Sequence, residues 1–108
     1  MPQMFRILTA SLLLLLWPGT GPAQPQSAGK KIFLEKAEPS CALCHTLQDA
    51  GASGEVGPNL DELKPDLEKV RLAVKNGVGN MPPYGDSLSA AEIAAVARYV
   101  AGAVKSDK

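Results

Sequence analysis

The chain has 108 residues, a length typical of one domain, and its 11 lysines and arginines balance its 11 aspartates and glutamates. Because there is neither a net positive charge nor a basic stripe, nucleic acid is not expected as a partner. The two cysteines and the single histidine all lie in the motif CALCH, residues 41–45, so the most reactive side chains are concentrated in one place.

The first 23 residues have the layout of a secretory signal peptide. Arg6 supplies a positive start, an apolar run follows over residues 7–17, and small residues stand three and one positions before a cleavage site after Ala23. A membrane-spanning helix needs about 20 apolar residues, so an uncleaved anchor is the weaker alternative. We therefore expect a cleaved signal peptide, residues 1–23, and a single domain, residues 24–108, with no membrane span.

The pattern of the remaining residues predicts an all-α domain of three to four helices with long loops. A flexible lead-in over residues 24–28 is followed by a helix that begins at Gly29 and ends before Pro39. The run QDAGASGEVGPNL, residues 48–60, is rich in Gly, Ser and Asp, which predicts a surface loop. No run alternates polar and apolar residues well enough to predict a strand.

Two further helices are predicted on either side of a proline-rich loop, VGNMPPYGD, that cannot be helical. The middle helix is capped by Asp66 and ends at Gly77. The last helix begins with a capping box formed by Ser89 and Glu92. Its apolar residues then form one stripe, made of Ile93, Val96, Ala97, Val100 and Val104.

The motif CALCH is compatible in principle with zinc, a disulfide, a redox dithiol or a haem. A structural zinc site normally takes two pairs of ligands, and the sequence has no second pair. A disulfide between Cys41 and Cys44 would close a very short loop and stabilise little, and a redox dithiol normally belongs to a βαβ unit that is not predicted here. Cys-x-x-Cys-His is the attachment signal for c-type haem, in which both sulfurs on one helical turn form thioethers and His45 ligates the iron. We therefore predict one covalent haem c.

A six-coordinate haem iron needs a second axial ligand, and Met81 is the only methionine outside the predicted signal peptide. It lies in GNMPPYG, where two prolines restrict the backbone and so lower the entropic cost of placing the sulfur. We predict His45 and Met81 as the axial ligands. The alternatives are a lysine ligand, an open site, or a methionine that only fills a gap in the core. A filled iron favours electron transfer over the activation of small molecules.

The motifs GKKIF, CALCH, GPNL, NMPPY and ARYV, in this order, resemble those of the class I c-type cytochromes across nearly the whole predicted domain. The resemblance implies that Pro58 offers its carbonyl oxygen to the second ring nitrogen of His45, a contact that would orient the ring. It also implies that Gly29 and Phe33 on the first helix meet Tyr99 on the last.

The same resemblance implies a soluble, monomeric periplasmic electron carrier rather than an enzyme. Its haem would cycle between Fe(II) and Fe(III), taking electrons from a dehydrogenase and passing them to an oxidase or another cytochrome. The segment from His45 to Pro65 is similar to cytochromes that accept electrons from periplasmic dehydrogenases, including sulfite dehydrogenases. The alternatives are a dedicated cytochrome subunit of a dehydrogenase or oxidase, a sensor or enzyme with five-coordinate haem, and a thiol oxidoreductase.

Overall fold

Helices account for most of the regular structure in the computed structural model, which describes residues 25–105. The helices are α1 (Pro25–Lys31), α2 (Cys41–Cys44), α3 (Leu60–Leu63), α4 (Leu67–Asn76) and α5 (Ala90–Lys105). A turn of π-helix, Ile32–Lys36, continues α1. The all-α class is thereby confirmed, whereas the predicted signal peptide and its cleavage site lie outside the described residues.

The first helix begins earlier than predicted, at Pro25 instead of Gly29. A proline is compatible with the first helical turn because the N–H group that it lacks would be unpaired there. Gly29 lies inside α1 and not at its start. Its role there is to let α1 approach α5 closely, since it has no side chain. Only the residue at position 24 of the expected lead-in lies outside the described part of the chain.

The predicted loop over residues 48–60 contains regular structure that the sequence did not indicate. Strands β1 (Thr46–Leu47) and β2 (Ala52–Ser53) pair antiparallel around a 3-10 turn, Gln48–Ala50, that ends at Gly51 with a φ of 67°. Each strand has 2 residues, which is too short for alternation to be visible. At its far end the loop gives way to α3, whose N-terminal N–H groups are capped by the Asn59 side chain.

Helix α5 is the centre of the fold and packs against both α1 and α4. Its capping box is present, since the Ser89 amide donates to Glu92 Oε1 at 2.8 Å and the Glu92 amide donates to Ser89 Oγ at 3.0 Å. All five residues of the predicted apolar stripe are buried, namely Ile93, Val96, Ala97, Val100 and Val104. The sequence pattern therefore gave the correct face of this helix.

The crossing of α1 and α5 has the contacts that the family resemblance implied. A side chain at Gly29 would collide with the backbone of Ala95 and the Cβ atom of Tyr99, so only glycine permits this approach. The rings of Phe33 and Tyr99 meet edge to face, with their centres 6.0 Å apart. The crossing lies at the middle of α5, in the same stretch of helix whose Val96 and Val100 line the site described next.

Candidate functional site

A cavity of about 460 Å³ lies between α4, α5 and the loops that follow α2 and α4. Its volume is within the range of about 300–1,000 Å³ that is usual for cofactor sites. The lining is mostly apolar and includes the four predicted haem residues, Cys41, Cys44, His45 and Met81. Residues that are far apart in the sequence are thus brought to one cavity by the fold.

The two cysteines are placed by a short, well-capped helix. Ser40 begins α2, and its hydroxyl accepts a hydrogen bond from the Ala42 amide at 3.1 Å. Cys41 and Cys44 are separated by one turn, are not joined in a disulfide and are both half-buried against the cavity. This is the arrangement in which two sulfurs can reach one edge of a flat ligand.

His45 follows α2 directly, and its ring is held by the loop that contains residues 57 and 58. Its Nδ1 atom lies 2.8 Å from the carbonyl oxygen of Pro58, and the Gly57 amide donates to the Cys44 carbonyl at 2.7 Å. Because a carbonyl oxygen can only accept, Nδ1 is the donor, and in the neutral imidazole Nε2 then has a free lone pair. An imidazole oriented in this way is prepared to bind a metal through Nε2.

Met81 is the last residue of a closed turn, residues 78–81. We call this turn, together with the three residues that follow it, the methionine segment (residues 78–84). The Val78 amide donates to the Met81 carbonyl at 3.1 Å, and the Met81 amide donates to the Val78 carbonyl at 2.9 Å. Gly77, with a φ of 78°, lies so close to this turn that a Cβ atom there would be 2.8 Å from the Met81 carbonyl oxygen. The end of the segment is tied to α4, because the Tyr84 amide donates to the Val74 carbonyl at 2.8 Å.

Two buried tyrosines form hydrogen bonds that the sequence did not predict. The Tyr84 hydroxyl donates to the Pro39 carbonyl oxygen at 2.8 Å, and the Tyr99 hydroxyl donates to Asp49 Oδ2 at 2.6 Å. Burial raises the pKa of Tyr84 to about 12, so its hydroxyl remains a donor at ordinary pH. The partners are separated by 45 and 50 residues, and no local motif signals such pairs.

The surroundings of the cysteines disfavour the zinc and dithiol alternatives. Within residues 25–105, no three His, Cys, Asp or Glu side chains are grouped as a metal ion would require. Burial raises the pKa of the Cys41 thiol to about 11, whereas a redox dithiol depends on a thiol whose pKa is lowered. A thiol in this apolar cavity lining is better suited to form a bond with an apolar ligand than to act as a redox thiolate.

The cavity fits a covalently bound haem in its size, apolar lining and donor set. The lining supplies two thiols, an oriented imidazole and a thioether, which are the groups that hold haem c. Among the described residues that line the cavity, Lys69 is the one with a permanent charge, and its side chain is exposed. An ammonium group at the cavity edge is suited to pair with a carboxylate on the ligand, such as a haem propionate.

Comparisons with known proteins agree with this chemistry. Residues 24–100 match the family described as cytochrome C oxidase, cbb3-type, subunit III. The chain is 35% identical to cytochrome c6 of a Picosynechococcus species over 101 residues, which cover 80% of this chain and 80% of that protein. It is 36% identical to cytochrome c6 of Tetradesmus obliquus over 90 residues, covering 74% and 92% of the two chains.

A solved structure is similar in both fold and sequence. The crystal structure of the c-type cytochrome SorU from Sinorhizobium meliloti matches with a TM-score of 0.72 and 59% identity. The match covers 74% of this chain and 91% of that one. In addition, none of the helices within residues 25–105 is both long and apolar enough to cross a membrane.

Proposed function

Because this chain belongs to the c-type cytochromes and is an electron carrier with covalently bound haem c, we propose which of its residues hold the haem. Cys41 and Cys44 form the two thioether bonds. His45 binds the iron through Nε2, and Met81 binds it through sulfur. The haem supplies one-electron chemistry, in which its iron alternates between Fe(II) and Fe(III).

The observation that carries the proposal is the convergence of these four side chains on one apolar cavity. The hydrogen bond from His45 Nδ1 to Pro58 supports the ligand role of this histidine, since it orients the ring and raises its basicity. The closed turn at Met81 supports the role of the methionine, because the backbone that carries the sulfur is already ordered. A thioether ligand favours the reduced iron and therefore a higher reduction potential.

We further propose that the protein works in the periplasm and accepts electrons from a dehydrogenase, for which a sulfite dehydrogenase is the first candidate. The segment from His45 to Pro65 supports this choice, because it resembles acceptors of such enzymes. Val56 and Val78 both line the cavity and are 78% and 61% exposed. They give the cavity an apolar rim at which a partner can dock through a small interface.

The test of the ligand set is the visible spectrum of the holoprotein, matured with haem-attachment machinery. An iron–sulfur bond produces a weak band at the red end of the ferric spectrum. We expect this band in the original protein and its loss in Met81→Ala, while both proteins keep haem covalently attached. A ferric spectrum without the band in the original protein would exclude Met81 as a ligand and favour an open-site sensor or enzyme.

A dedicated subunit is the second candidate, and it is supported by the matching family, which is described as a subunit of cbb3-type cytochrome oxidase. The two roles differ in the lifetime of the complex with the partner. We expect a carrier to separate from a purified dehydrogenase on dilution in size-exclusion chromatography and to be reduced by that enzyme with its substrate. Co-elution at nanomolar concentration would instead indicate a permanent subunit.

A further inference from the structure

The hydrogen bond between Tyr84 and Pro39 connects two parts of the cavity lining that carry different haem residues. Tyr84 is 4% exposed and is the last residue of the methionine segment (residues 78–84). Pro39 belongs to a short stretch, residues 39–40, that leads directly into α2 and its first cysteine. The 2.8 Å bond is therefore a direct connection between the Met81 side and the Cys41 side of the site.

The acceptor end of this bond is itself firmly held. The Ser40 hydroxyl lies 3.1 Å from the carbonyl oxygen of Phe33 and 3.2 Å from that of Leu34, and it also accepts from the Ala42 amide. These contacts tie residues 39–40 to the π-helical turn that follows α1. A donor that reaches the Pro39 carbonyl is thus fastened to a fixed part of the fold.

At the other end, the backbone of the methionine segment is bonded to α4 and to residues 87 and 88 before α5, whose amides donate to the Tyr84 carbonyl. The Tyr84 and Gly85 amides donate to the carbonyls of Val74 and Lys75, the last residues but two and but one of α4. These bonds fix the segment to α4 without fixing its distance from the CALCH side. Among the hydrogen bonds of the described residues, the bond from the Tyr84 hydroxyl to Pro39 is the one that joins the methionine segment to the CALCH side of the cavity.

We propose that Tyr84 is a positioning residue that keeps Met81 on the haem iron by fastening the methionine segment to residues 39–40. The inference rests on the proposed function, because it presupposes that Met81 is a ligand. In this proposal Met81 leaves the iron when the methionine segment shifts away from the CALCH side, and this shift breaks the hydrogen bond. The high pKa of Tyr84 agrees with this role, because the hydroxyl does not lose its proton at ordinary pH.

Imidazole is a suitable probe, since it binds ferric haem iron only where the methionine has left. We expect Tyr84→Phe holoprotein, which lacks only the hydroxyl, to bind imidazole about 3 to 10 times more tightly than the original protein, as the loss of one hydrogen bond predicts. The loss of the red ferric band is the signal that monitors imidazole binding during the titration. The midpoint of urea unfolding is measured on the same samples.

Tyr99→Phe is the matched control. It also removes one hydroxyl from a buried tyrosine, together with the bond to Asp49, but neither Tyr99 nor Asp49 belongs to the methionine segment. We expect this variant to unfold at a lower urea concentration and to bind imidazole as the original protein does. The control separates the general effect of a lost buried hydrogen bond from the specific effect on Met81.

Each result decides the inference. A rise in imidazole affinity confined to Tyr84→Phe supports it, whereas unchanged affinity in Tyr84→Phe, or an equal rise in both variants, overturns it. Should the original protein lack the ferric band, the ligand assignment itself fails, and this outcome is recognised before any variant is titrated. A normal band in the original protein together with unchanged imidazole binding in Tyr84→Phe removes the positioning role and leaves the proposed function intact.

Discussion

Gly57 lies against the imidazole of His45 so closely that its missing side chain is a requirement of the site. A Cβ atom at this position would be 2.8 Å from Cε1 of the ring and 3.2 Å from Nδ1. We expect Gly57→Ala to push the ring or the loop aside, with a cost of about 1–3 kcal/mol in the free energy of unfolding. The displaced ring would form a weaker hydrogen bond from Nδ1 to Pro58. The imidazole would then donate less electron density to the iron, so the reduction potential of the haem should rise.

Urea denaturation and a redox titration of Gly57→Ala measure these two effects. Gly102→Ala is the control, because a Cβ atom there would meet only the Gln26 side chain, at 3.4 Å. Since alanine is favoured over glycine inside a helix, we expect Gly102→Ala to be as stable as the original protein or more so. Equal stability and an unchanged potential in Gly57→Ala would contradict the close packing of this ring.

Lys69 gives a second prediction for a single residue, because it is the charged side chain at the cavity edge. A positive charge near the haem disfavours the ferric iron, so we expect Lys69→Gln to lower the reduction potential. At about 10 Å and a dielectric constant of about 80, the interaction is about 0.4 kcal/mol, which corresponds to about 20 mV for one electron. Lys69→Arg should keep the original potential.

The control for Lys69 is Lys75→Gln, which removes the same charge from an exposed residue of α4 that does not line the cavity. Redox titrations of the three variants are compared at one ionic strength, because salt screens exposed charges. An equal shift in Lys69→Gln and Lys75→Gln would show that only the net charge matters. In that case Lys69 has no particular place beside the haem carboxylates.

Among the elements, those marked by strong local signals were predicted well. The capping box at Ser89 and the apolar stripe of α5 depend on residues three or four apart, and both are present in the structure. The strands β1 and β2 and the short helix α3 were missed, because they contain 2, 2 and 4 residues. Elements of that size are stabilised by packing and caps and not by a periodic pattern, which needs a longer window.

The N-terminus of α5 has a pH dependence that follows from Glu92. Hydrogen bonding to Ser89 and the 2.9 Å ion pair with Lys36 lower the pKa of Glu92 from its usual 4.5. The carboxylate therefore stabilises the fold above pH 4.5, and this contribution is lost as the pH falls through the lower folded-state pKa. We expect Glu92→Gln to unfold at a lower urea concentration at pH 7, and the difference should shrink in acid.

Urea unfolding of Glu92→Gln is therefore measured from pH 7 down to pH 3. Glu35→Gln is the control, since Glu35 is an exposed glutamate outside the capping box. A difference between Glu92→Gln and the original protein that stays constant with pH would show that the carboxylate charge has no part in the cap.

The contribution of the crossing of α1 and α5 to stability can also be tested. A Cβ atom at Gly29 would collide with Ala95 and Tyr99, so we expect Gly29→Ala to separate the helices and to weaken the contact of Phe33 with Tyr99. The expected cost is about 1–3 kcal/mol, which lowers the Tm by about 4–8 °C per kcal/mol. Ser27→Ala, at an exposed position of the same helix, should leave the Tm nearly unchanged.

For the molecule as a whole, the sequence indicated which residues meet at the cavity better than how the fold holds those residues there. Cys41, Cys44 and His45 belong to one local motif, and Met81 followed by elimination. The bonds of Tyr84 and Tyr99 span 45 and 50 residues. Such contacts depend on the three-dimensional path of the chain, and a single sequence carries no periodic or local signal for them.

The size of the cavity implies that the fold depends on the haem. Without haem, the apolar lining of this cavity of about 460 Å³ would face water, which destabilises the fold. A whole domain is stable by only about 5–15 kcal/mol, and small domains are at the lower end. Phe33 and Val96 are among the largest fully buried side chains, and both line this cavity.

We therefore expect the double variant Cys41→Ala/Cys44→Ala, produced without haem, to show little helical signal in far-ultraviolet circular dichroism and no cooperative thermal transition. The holoprotein of the original sequence, measured under the same conditions, should be helical and melt cooperatively. Adding haem to the variant tests the link directly, because a ligand that fills the cavity without thioether bonds should restore part of the helical signal. A cooperative transition in the haem-free variant would contradict this expectation. It would mean that α1, α4 and α5 pack against one another without haem, so that the haem binds to a fold that already exists and is not part of its core.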